Sequence, residues 1–92
     1  MAIGPRNDDR LDVDDEFNAV LVSMSWDRKI DVIKLLREVT GLGLREAKDF
    51  VEHLPRAVKE DVLPEDGEAL VRRFSALGAH LEVWPSSRPL PG

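Results

Sequence analysis

Ninety-two residues without a cysteine fit one domain, and exclude disulfides, thiol catalysis and cysteine-held zinc or iron–sulfur centres. No apolar run approaches the roughly 18–20 residues of a membrane span, and the start MAIGPRNDDR has no apolar signal core, so a cytoplasmic protein without membrane contact is expected. A net charge of −5 argues against indiscriminate binding to nucleic acid or anionic lipid. The charge is uneven. Residues 1–16 carry six acids against Arg6 and Arg10, a net of −4. Residues 28–48 carry six bases against Asp31, Glu38 and Glu46, a net of +3, and residues 49–68 return to −5. One basic segment thus lies within an acidic chain.

Residues 1–15 are polar, acidic and aperiodic, and are expected to form a disordered tail. Residues 17–24 (FNAVLVSM) read as a strand, nearly continuously apolar as a central strand is. Ser25 and Trp26 connect it to a helix with Asp27 as its expected N-cap, running to Thr40 and stopped by Gly41 at C′. A second helix is expected from Leu44 to Leu54, before Pro55, with Leu44, Ala47, Phe50, Val51 and Leu54 inward. Arg45 with Asp49 and Lys48 with Glu52 are spaced for four-apart ion pairs on its outer side.

Residues 57–62 give a weak strand signal. Pro64 opens a third helix with acids in its first turn; Leu70, Val71, Phe74 and Leu77 form its stripe and Gly78 closes it. Residues 79–84 alternate as a last strand, and residues 85–92 are expected to be a disordered proline-rich tail. The order β-α-α-β-α-β predicts an α+β fold of two layers. Three helices would pack on one face of a three-stranded antiparallel sheet, within a domain spanning residues 16–84.

Turning about 100° per residue from Val32, the first helix puts Val32, Leu35, Leu36 and Val39 on one stripe. Ile33 falls near ~100°, Arg37 near ~140°, Ile30 near ~160° and Lys34 near ~200° on that wheel. Ile30 and Ile33 are therefore expected to point away from the core, as an apolar centre rimmed by Lys29, Lys34 and Arg37. Two isoleucines buried on a partner would supply about 3–6 kcal/mol. The cations would speed encounter with an acidic partner. The alternative reading has the second helix covering both isoleucines.

Catalytic chemistry is not legible. His53 and His80 are not in a metal-ligand spacing, the paired acids read as solvated charges, and no serine has a base placed to activate it. The chain is expected to be no enzyme, with no cofactor and no metal. Thr40-Gly41-Leu42-Gly43-Leu44-Arg45-Glu46-Ala47-Lys48 is not a phosphate loop: Glu46 replaces the third glycine, and a helix rather than a strand precedes it. It reads as a tight helix-to-helix corner plugged by Leu42 and Leu44.

The run VIKLLREVTGLGLREAKDFVEHLP, with AVKEDV and the closing LEV, closely resembles the C-terminal domain of the bacterial ribosomal stalk protein, and the likeness covers about residues 16–84. The resemblance implies a contact surface that recruits translational GTPases, elongation factors Tu and G among them, through the first two helices and their corner. The matching positions are Lys29, Ile30, Ile33, Lys34, Arg37, Gly41, Gly43, Arg45 and Lys48. Arg45 stands where the family commonly has lysine, and Trp26, Asp31 and the proline-rich end depart from its pattern. A short acidic segment stands where the family has its dimerisation domain and hinge, so a standalone domain without the usual ribosome anchor is expected. The alternative is an adaptor or regulator that reuses the fold away from the ribosome. Direct RNA binding is not expected, because three Phe, two Trp and no Tyr make poor stacking platforms.

Overall fold

Six of the eight residues Phe17–Met24 are apolar, and they form the strand β1 at the centre of the sheet. The computed structural model describes residues 16–90, so the expected N-terminal tail lies outside the described residues. A 3₁₀ turn, Trp26–Arg28, leads into α1 (Lys29–Thr40). Then follow α2 (Leu44–Glu52), β2 (Arg56–Val62), α3 (Pro64–Ser75) and β3 (Ala79–Pro85). The strand order is β2-β1-β3, all antiparallel, and the expected α+β architecture is present. Ala19, Leu21, Val58, Ala79 and Leu81 of the sheet join residues of all three helices in one core. Among the described residues, no helix is long and apolar enough to cross a membrane.

Local chemistry accounts for most boundaries. Pro64 occupies the first turn of α3, where a missing N–H costs nothing; Glu65 and Asp66 face the positive end, Arg72 and Arg73 the negative end. Gly67 lets α3 approach the sheet: a Cβ there would stand 3.0 Å from a Val83 methyl. At the start of α1 the expectation needs correcting. Asp27 lies inside the 3₁₀ turn and Arg28 is the N-cap, because the Arg28 and Lys29 N–H groups donate to the carbonyls of Ser25 and Trp26. Helix α2 ends at Glu52, short of the expected Leu54, with the His53 N–H closing on the Phe50 carbonyl.

Strand β2 is an irregular edge. Phe17 pairs with Val62 but Ala19 with Lys59, leaving Glu60 and Asp61 opposite Asn18. Asp61 has φ 59°, and its N–H donates to the buried Asn18 Oδ1 at 3.1 Å. The bulge and the asparagine thus satisfy each other.

The outer face of the sheet is polar and aromatic. Ala79 and Leu81 belong to the core and Val83 meets Gly67, so His80, Glu82 and Trp84 point the other way. Trp84 Nε1 donates to Glu82 Oε1 at 2.8 Å, and His80 Nε2 lies 2.9 Å from Glu82 Oε2. The Trp84 hydrogen bond first, then His80 and the positive Arg88, hold the Glu82 carboxyl below its ordinary value of 4.5. A depressed pKa contributes stability that is complete above the ordinary value and vanishes as pH falls through the lowered one. Glu82→Gln should therefore lower the unfolding midpoint most above pH 4.5, and its difference from the parent should close in acid. A pH-independent difference in melting scans would contradict this.

Candidate functional site

Helices α1 and α2 form a hairpin around a three-residue corner. Gly41 stands at φ 78°, ψ 9°, and its N–H donates to the Arg37 carbonyl at 2.8 Å. Thr40 Oγ1 donates to the Leu36 carbonyl at 2.7 Å and accepts the Leu42 N–H at 3.2 Å. Leu42 packs half-buried against the core, and Gly43 is the N-cap of α2. Nothing lies within 4 Å of a Cβ built on Gly41, so Gly41→Ala meets only backbone strain. About 1–2 kcal/mol of stability should be lost in denaturant titrations. A change within error would contradict the left-handed corner.

The far end of the hairpin is tied by Lys29, whose Nζ lies 3.8 Å from Glu52 Oε2 and 4.8 Å from the centre of the Trp26 ring. The start of α1 thus meets the end of α2, and the helices run antiparallel. This pairing replaces Lys48 with Glu52. Asp49 likewise turns to His53 Nδ1, 3.4 Å away, instead of Arg45. Neither expected four-apart pair forms. Asp31, an acid beside the basic segment, is engaged by Arg28 Nε at 3.0 Å, and Glu38 by Arg73 at 3.0 Å.

Lys34, Arg37, Arg45 and Lys48 consequently have no carboxylate within 4.0 Å among the described residues, and all four are exposed. Arg45 and Lys48 line a shallow groove of about 500 Å³ with Leu44, Asp49 and Glu52. Lys34 and Arg37 line another of about 450 Å³ with Glu38, Gly41 and Leu42.

The apolar centre differs from expectation. Ile30 is 63% exposed, but Ile33 is only 2% exposed and belongs to the core with Ala47, Phe50 and Val51 of α2. Ile33 sits off the sheet-facing stripe, and α2 buries it from the flank. Leu44, expected inward, is 50% exposed: it is the first residue of α2, at the rim of the corner. Trp26, half under Lys29, is 59% exposed. The exposed apolar groups of this hairpin are therefore Ile30, Leu44 and Trp26, and only the first was assigned there by helical periodicity. Leu44 shares the core stripe by spacing, so only its first-turn position could have flagged it.

An exposed isoleucine and leucine among four cations without a carboxylate partner among the described residues suit contact with another macromolecule. Residues 17–84, the α+β unit up to Trp84, match the family model of the ribosomal protein L7/L12 C-terminal domain. This chain belongs to that family. It is 48% identical over 68 residues to large ribosomal subunit protein bL12 of Endomicrobium trichonymphae, covering 74% of this chain and 54% of that protein. The bL12 of Cellvibrio japonicus is 52% identical over 68 residues, 74% of this chain and 55% of its own length. The bL12 of Acholeplasma laidlawii is 46% identical over 83 residues, 90% of this chain and 67% of its own. The chain spans about half the length of the first two relatives. The L7/L12 match contains every residue of the α1–α2 face.

Proposed function

We propose that this L7/L12-type domain works in translation as a docking module of the ribosomal stalk, binding translational GTPases such as elongation factors Tu and G through the α1–α2 face. The observation that carries the reading is the group of cations Lys34, Arg37, Arg45 and Lys48, unpaired among the described residues, around exposed Ile30 and Leu44. The relatives' description as large ribosomal subunit proteins supports it. One exposed isoleucine rather than two supplies about 1.5–3 kcal/mol on burial. Such a contact is weak and quickly exchanged, as a recruiting arm requires. Ile33 acts from beneath by seating α1 against α2, and Gly41 and Gly43 set the corner that aligns the two groups of cations. Titrating the labelled chain with elongation factor G should move the backbone amide signals of residues 29–48. Signals that move only elsewhere, or none at high micromolar factor, would overturn the assignment; the same face shifting only with a partner foreign to translation would favour the adaptor reading.

A further inference from the structure

Among the described residues no helix covers the outer face of the sheet, yet Val20, on that side of β1 between the core-facing Ala19 and Leu21, is 0% exposed, and Trp84 is 9% exposed. The residues that follow β3 lie there. After Pro85 the backbone turns, the Arg88 N–H donating to the Pro85 carbonyl at 2.9 Å and the Ser86 N–H to the Glu16 carbonyl at 3.2 Å. The turn lays the Arg88 guanidinium on the Trp84 ring, 3.6 Å from its centre, tighter than the Lys29–Trp26 and Arg56–Phe50 pairs at 4.8 and 4.6 Å. Leu90, two residues on, is half-buried.

We propose that this outer face is a second interaction surface, a site for a turned, proline-containing segment bearing arginine, which residues 86–90 of the chain itself occupy in cis. Each part of the site matches one property of that ligand. The indole offers a flat π face to a planar, weakly hydrated guanidinium. Glu82, hydrogen-bonded to the same indole, fixes the ring and supplies the opposite charge. Pro85 opens the turn and Pro89 follows the arginine, and their fixed φ angles reduce the backbone freedom lost when such a segment docks. A partner segment of the same chemistry must displace the strap, whose effective concentration is on the order of millimolar for so short a tether. The face lies across the sheet from α1 and α2, so its use is independent of the stalk-type reading.

The test uses the full chain with Trp26→Phe, which leaves Trp84 as the single indole. A capped peptide of residues 85–90 (PSSRPL) is titrated while Trp84 emission is followed, with the strap intact and with Arg88→Ala added. With the strap anchor removed, the peptide should bind saturably and at least about ten-fold tighter than to the strapped chain. The same peptide with its arginine replaced by alanine should lose that binding. Equal affinities for the two chains, or no saturable change with the Arg88→Ala chain while its circular dichroism is unaltered, would overturn the proposal.

Discussion

Ile33→Ala lowers the midpoint of thermal unfolding by roughly 10–30 °C, whereas Ile30→Ala leaves it within a few degrees and weakens partner binding instead. The two residues are one helical turn apart and chemically identical, so only environment separates them. Ile33 is 2% exposed and packed in the core with Ala47, Phe50 and Val51, so truncation leaves a cavity between the hairpin helices and the sheet. Such cavities cost about 2–5 kcal/mol, a large share of what a domain this small holds. Ile30, 63% exposed, gives up little buried area in the free protein, and alanine is the better helix former by a few tenths of a kcal/mol. Its loss should appear only in the complex, as roughly a ten-fold rise in Kd. Equal melting temperatures for the two variants would contradict the burial assigned here, and unchanged affinity of Ile30→Ala would remove Ile30 from the contact.

The same pair shows where sequence stops being informative. Signals local in the chain were legible: Gly41 stops α1, Pro64 starts α3, and the nearly continuous apolar run of β1 marks the central strand. The cation ring was legible too, because charge is read directly from residue type. What escaped depended on another element's approach. A wheel drawn on α1 finds one buried face, but a hairpin helix is covered on two sides, and Ile33 faces the second. Glu52 pairs with Lys29 rather than Lys48 because the hairpin brings the start of α1 to the end of α2, a closure no four-residue spacing encodes. The Arg88–Trp84 stack likewise depends on which face β3 turns outward and on the turn after Pro85.

Reversing charge at Lys34 and Lys48 together should slow association with an acidic partner by ten-fold or more at low salt, and leave the fold in place. Neither lysine has a carboxylate within 4.0 Å among the described residues, so no ion pair of the monomer is lost. Lys34→Glu and Lys48→Glu each place a carboxylate four residues before an acid, Glu38 and Glu52, like-charge spacings that cost only a few tenths of a kcal/mol each. Net charge moves from −5 by four units to −9, all of the change on the α1–α2 face. Long-range attraction that steered the encounter becomes repulsion there, and it acts on the association rate far more than on dissociation. Raising salt from about 0.15 to 1 M shortens the screening length from roughly 8 to 3 Å, so the rates of parent and variant should converge. Dissociation, set by Ile30 and Leu44 once a partner covers them, should hardly respond to salt. Stopped-flow association at several ionic strengths separates the two contributions: parallel salt slopes for parent and variant would mean that these cations face solvent in the complex, and that the apolar pair docks without their help.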